Sequence, residues 1–179
     1  MKKTIIIAIA MALMSAQAFA FKIEAKGAYF MPSEKAFKNI YGGGPIVGAE
    51  IAFKLFGPVD MWIEGNYFTA KGKLTYTQEA TTLKIIPAGA GLRYTYSPGK
   101  VSLYGGAGAR YYQYEESNPI GTAKKGGVGF VVNGGACLKI VDGLSLDVRL
   151  GYSSCSMTPA DFKINIGGLE AGGGLVIEF

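Results

Sequence analysis

Histidine is absent from the 179-residue chain, and that absence removes a broad class of chemistry. Imidazole is the side chain that ordinarily titrates near neutral pH and serves as general base, so catalysis built on it is excluded. Cysteine is nearly absent too, with two residues, Cys137 and Cys155. No catalytic residues, no cofactor and no metal site are expected. Phosphate-binding loops are missing: Gly42-Gly43-Gly44 leads to Val47 where G-x-G-x-x-G needs its third glycine, and no G-x-x-x-x-G-K-[ST] occurs. The formal net charge of +5 is too small to indicate a nucleic-acid partner.

Long apolar runs are confined to the first residues. Lys2 and Lys3 precede an apolar stretch from Ile5 to Met14, and Ala18 and Ala20 form an A-x-A site. This predicts a secretory signal peptide over residues 1–20, cleaved after Ala20, because the run is too short for the ~20-residue helix that crosses a bilayer. Its removal lowers the formal net charge from +5 to +3. Residues 21–179 then form one domain. With no second run long enough for a membrane helix, the mature chain enters a membrane only as a closed barrel, since lipid satisfies no backbone hydrogen bonds.

Period-two alternation recurs along the whole mature sequence. Leu144, Leu146, Val148, Leu150 and Tyr152 fall on one face, opposite Ser145, Asp147, Arg149, Gly151 and Ser153. The same apolar-out, polar-in pattern can be drawn eight times, starting near Phe21, Val47, Met61, Ile86, Val101, Phe130, Leu144 and Leu169. The expected fold is all-β, a closed eight-stranded antiparallel up-and-down transmembrane barrel. Connections alternate between tight turns (Gly57-Pro58-Val59, Ser97 to Lys100, Val141-Asp142-Gly143) and longer polar stretches near 32–44, 72–82, 115–126 and 156–164. A three-residue hairpin needs a left-handed third residue, and Gly143 stands there.

Outward aromatics sort into two levels. Tyr29, Tyr67, Tyr111, Phe130 and Tyr152 lie near the long-loop end, and Phe21, Phe53, Tyr94, Tyr96 and Phe179 near the short-turn end. Amphipathic rings prefer the headgroup level, so these are expected as aromatic girdles about 20 Å apart.

The inward faces carry the charges: Lys22, Lys26, Lys54, Arg93, Arg110, Lys139 and Arg149 against Glu24, Glu50, Asp60, Glu64, Asp147, Glu170 and Glu178. An eight-stranded barrel has room inside only for side chains, and confined charges must pair. An ion-pair network plugging the lumen is expected, with a narrow polar path as the alternative. Mid-strand glycines such as Gly105-Gly106, Gly134-Gly135 and Gly172 to Gly174 relieve crowding beside these side chains. Cys137 and Cys155 fall at opposite ends of the barrel, on the order of 20 Å apart, so two free thiols are expected.

The signal peptide, the eight alternating strands and the ending Leu175-Val176-Ile177-Glu178-Phe179 together resemble the small eight-stranded outer-membrane barrels of the OmpX, opacity-protein and OmpA membrane-domain kind. The resemblance implies residence in a bacterial outer membrane, with lipid as a partner. It also implies that Leu175, Ile177 and Phe179 are an assembly signal for the barrel-assembly machinery. Enzymes on such barrels, including the lipid A deacylase PagL, the acyltransferase PagP, outer-membrane phospholipase and the omptins, rely on histidine. Ser153 and Ser154 near Asp161 and Lys163 are the nearest candidates for another kind of site and read more simply as a polar rim. Two non-enzymatic roles remain. One is a structural or surface-interaction barrel whose outer hairpin, Lys71 to Thr77 and Thr81 to Lys84, offers an edge to an extracellular protein ligand. The other is a narrow pore or an OmpW-like conduit for small solutes or apolar molecules.

Overall fold

Alternation along each strand becomes a continuous wall in three dimensions. The computed structural model describes residues 20–73, 79–119, 121–158 and 164–179; the expected leader, except Ala20, lies outside them, as do Asp161 and Lys163. The elements are β1 (Phe21–Pro32), α1 (Lys35–Tyr41), β2 (Gly44–Phe56), β3 (Val59–Lys73), β4 (Ala80–Tyr96), β5 (Val101–Asn118), β6 (Gly121–Val141), β7 (Leu144–Ser154), β8 (Ser156–Met157), β9 (Ile164–Asn165) and β10 (Gly168–Glu178). Each long strand pairs antiparallel with its sequence neighbour, and β10 pairs with both β7 and β1, closing an eight-stranded barrel. The seam runs from Lys22↔Glu178 to Pro32↔Gly168.

Side chains follow the pleat. Ile63, Leu92, Leu103, Val148, Leu150 and Leu175 are exposed on the outer wall, whereas Glu64, Arg93, Arg110, Asp147, Arg149 and Val176 are buried inside it. The apolar exterior is the arrangement a hydrocarbon surrounding stabilises. At the short-turn end, irregular pairing between Lys54 and Phe56 and between Lys139 and Val141 leads into the turns. There Gly57 (φ 51°) and Gly143 (φ 80°) take the left-handed conformation that side chains disfavour.

At the other end the strands run further than the sequence pattern suggests. The stretch near 115–126, expected as a long polar loop, is largely ladder, with Asn118 paired to Gly121, and of the outer hairpin drawn near 72–82 the described residues extend the ladder to Lys73 paired with Ala80. The Asn118 side-chain oxygen accepts the Gly121 N–H at 3.1 Å and tightens that hairpin. β5 and β6, with 18 and 21 residues, exceed the ~10 residues a tilted strand needs to cross a bilayer, so their sheet stands above the apolar band. The stretch 32–44 contains helix α1. Its Phe37 and Tyr41, one turn apart, face the barrel and are buried. Gly42 (φ 68°) ends the helix, and its N–H bonds to Lys38 O.

Candidate functional site: the lumen and its outer mouth

The inward charges of β1, β2, β3, β4, β5, β7 and β10 meet in the middle of the barrel. Arg149 reaches Glu50 at 2.9 Å, Asp147 at 2.8 Å, and Glu24. Arg93 pairs with Glu50, and Lys26 bridges Glu50 (3.4 Å) and Glu64. Arg110 joins Glu64 to Glu170. Tyr104 donates to Asp147 at 3.0 Å, and its ring lies 4.9 Å below the Arg93 guanidinium. Buried ions are costly unless each finds a partner, and a planar guanidinium serves several carboxylates at once.

The remaining residues of the expected network stand apart from this knot. Asp60 is buried and accepts from Thr95 Oγ1 at 2.8 Å, but Lys54, half exposed, comes only to 3.9 Å from it. Lys22 and Glu178 pair at 2.8 Å across the seam at the rim. Lys139 corrects the expectation outright. It is exposed and bonds Asp142 in the adjoining turn at 2.7 Å, not a lumen acid. The irregular pairing at the end of β6 puts it at the mouth, where a long side chain reaches water.

Trp62 is fully buried in the lumen, with Ala52 and Val131 in its cluster. Its ring occupies a notch made by glycines on two paired strands: a Cβ on Gly91 or Gly108 would stand 2.5 or 2.7 Å from the indole. Small residues opposite a large one are how a narrow barrel fills its interior.

The outer half of the lumen is apolar. Phe30, Ile46, Phe68, Leu83, Ile85, Tyr112 and Tyr114 point inward from β1 to β5 and are buried with Phe37, Tyr41, Cys155, Met157 and Ile166. Phe68 packs edge-on against Phe30 with ring centroids 5.1 Å apart. This cap was not foreseen from sequence. Helix α1 closes one side of it, and a polar clasp holds the helix: Tyr41 donates to Glu116 at 2.5 Å, beside Thr81 at 3.2 Å, and Tyr114 donates to the other Glu116 oxygen. Burial first, then the bond to Glu116, pushes both phenols well above the usual tyrosine range. On the other side, the β8–β9 hairpin is knitted by Asn165, whose oxygen accepts the N–H groups of Cys155 and Gly167 at 3.3 and 2.9 Å. Cys137 and Cys155 are both free thiols. Of the expected rim pair, Ser153 is fully buried and Ser154 Oγ accepts from Asn165.

The outward aromatics stand at two levels of the wall. Tyr29, Tyr67, Tyr111, Phe130 and Tyr152 are exposed toward the outer end, with Phe130 and Tyr152 6.3 Å apart. Phe21, Phe53, Tyr94, Tyr96 and Phe179 lie toward the short turns. There the terminal Phe179 stacks on Phe21 at 4.8 Å, while Leu175 and Ile177 are exposed on the outer wall.

No protein-family model matches the chain, and no curated protein matches it. Solved structures do resemble it. Neisserial surface protein A matches with a TM-score of 0.60 at 16% identity, covering 91% of this chain and 98% of that one. The outer-membrane protein OprG of Pseudomonas aeruginosa gives 0.68 at 13% identity, covering 89% and 95%. The attachment invasion locus protein Ail of Yersinia pestis, in complex with the heparin analogue sucrose octasulfate, gives 0.54 at 13% identity, covering 89% and 98%. These likenesses extend over nearly the whole of each partner, and with the closed strand order and apolar outer wall they establish that this chain has the fold of the small eight-stranded outer-membrane β-barrels.

Proposed function

We propose that the protein is an integral outer-membrane barrel that neither conducts nor catalyses, and that serves as a structural or surface-interaction element. The observation that carries this reading is how completely the lumen is filled. From the short-turn end upward it holds the ion-paired knot, with Trp62 set at the same level, and then the apolar cap. Cavities of about 40 Å³ toward the short-turn mouth, 20 Å³ beside Lys26 and Arg110 and 10 Å³ under the cap hold isolated waters at most. A conduit for ions or apolar molecules needs a continuous path, and the capped lumen speaks against one. The lack of any histidine argues against the general-base chemistry of barrel enzymes.

In this reading the leader directs export, the terminal strand with Leu175, Ile177 and Phe179 presents the assembly signal, and the tall sheet of β3 to β6 is the exposed face. Refolded protein in planar bilayers is expected to show no discrete current steps, while an unboiled sample migrates as a compact, faster band. Discrete openings in the wild-type protein would overturn the proposal. Removal of residues 72–82 is expected to abolish adhesion of expressing cells to surfaces that the intact protein binds.

A further inference from the structure

Just beyond the outer aromatic level, the lipid-facing wall turns basic on β3 and β4. Tyr67 belongs to the aromatic level. Continuing outward along the same face of β3 come Thr69, Lys71 and Lys73, all exposed. Lys84 of β4 is paired directly with Thr69, and Lys71 with Thr82, so Lys71 and Lys84 are diagonal neighbours. Their inward neighbours Phe68, Leu83 and Ile85 are buried in the cap, which fixes the lysines on the outside.

At roughly 3.3 Å per residue and a 40° tilt, Lys84 stands about 5 Å and Lys71 about 10 Å above Tyr67. The headgroup layer adds roughly 5–8 Å to each side of the hydrocarbon, so Lys84 stands within it, Lys71 at its outer edge and Lys73, two residues further along β3, just above it. None of the three lysines has an ion-pair partner among the described residues, whereas Lys124, on the same outer face, is paired with Glu115 at 3.1 Å. Glu115 stands opposite Lys84 in the β4–β5 ladder, but its carboxylate is taken by Lys124, so Lys71, Lys73 and Lys84 leave an excess of positive charge on two paired strands.

We propose that Lys71, Lys73 and Lys84 form a docking site for the phosphate groups of a phosphorylated glycolipid in the outer leaflet. The proposal rests on the outer-membrane reading, with the long-strand end outward. The acyl chains of such a lipid lie along the apolar wall below Tyr67, so its phosphates come to rest beside the lysines. Each lysine adds attraction to an anionic headgroup, and Thr69 supplies a hydroxyl between them.

The test uses the full mature chain refolded into phosphatidylcholine nanodiscs containing a small fraction of bis-phosphorylated lipid A or its phosphate-free form. Native mass spectrometry then counts the retained glycolipid. Wild type is expected to retain the phosphorylated form and not the phosphate-free one. Lys71→Gln/Lys73→Gln/Lys84→Gln is expected to lose retention by on the order of tenfold or more, given the attraction of each basic side chain at an anionic surface. Lys100→Gln, in the turn at the opposite end of the barrel, is expected to behave as wild type. A triple variant that keeps its glycolipid, or equal retention of the phosphate-free form, overturns the proposal. So does a wild type that ignores lipid A yet binds a soluble sulfated polysaccharide. The unboiled gel band separates the two levels of failure. A chain that never becomes compact in the nanodisc sinks the membrane reading and this proposal with it, while a compact chain indifferent to the lysines sinks this proposal alone.

Discussion

Replacing Arg149 by Met should destabilise the barrel more than any other single change in its ion-paired knot. Arg149 serves three carboxylates, and its loss affects them unequally. Glu50 keeps Arg93 and Lys26, and Asp147 keeps the Tyr104 hydroxyl. Glu24, only 4% exposed, has no other ion pair among the described residues. Arg149→Met therefore strands one buried carboxylate, and removing one partner of a buried pair costs about 3–5 kcal/mol. Glu24→Gln alone leaves Arg149 with two acids and should cost only about 1–2 kcal/mol. In the double variant the stranded charge is gone, so stability should return by about 2 kcal/mol relative to Arg149→Met, a coupling within the range found for contacting residues. Urea unfolding in lipid vesicles measures all three, with the folded fraction read from the compact band of unboiled samples. If Arg149→Met lies within about 0.5 kcal/mol of wild type, or if the two single effects simply add, the knot is not held as described.

Other expectations follow from the cap and the glycine notch. Phe68→Ala removes a ring that is 1% exposed and should cost about 3–5 kcal/mol in the same unfolding assay. It should also make Cys155, now buried, reactive toward maleimide in the folded protein. Gly91→Ala puts a methyl group against the Ala107 carbonyl and the indole. It should cost about 1–3 kcal/mol and red-shift the emission of Trp62, the single tryptophan. Tyr41 and Tyr114 have folded-state pKa values raised above the ordinary 10.0. Their contribution is thus fully present below pH 10 and is lost as the pH climbs from there toward the folded values. Wild-type stability should fall over that alkaline range, and Tyr41→Phe/Tyr114→Phe should flatten the fall.

The wall was legible in the sequence because its two faces obey opposite solvents. Leu144, Leu146, Val148 and Leu150 alternate with Ser145, Asp147 and Arg149, so parity alone assigns in and out. The same parity located Arg93, Arg110, Glu64 and Asp147 inside. It failed where both faces are apolar. In Leu83-Lys84-Ile85-Ile86-Pro87 the inward Leu83 and Ile85 serve the cap while Ile86 meets the outer surroundings, and no polar rhythm remains to count. The cap was hidden for that reason, and α1 was hidden by brevity: one turn-spaced pair, Phe37 and Tyr41, between Glu34 and Gly42. Lys139 was assigned correctly by parity and wrongly by depth, because alternation says which way a side chain leaves the strand and not whether it has reached the rim.

The ions grouped around Arg149 have a further consequence for assembly. They come from β1, β2 and β7, and β7 lies far from the other two in the chain and meets them only through closure. If β1 joined its neighbours one residue out of step, Glu24 would turn toward the acyl chains and Ile23 toward a guanidinium. Hydrophobic pairing alone tolerates such errors, since one branched side chain resembles another. The charges do not, so the knot acts as a checksum that only the correctly threaded barrel satisfies.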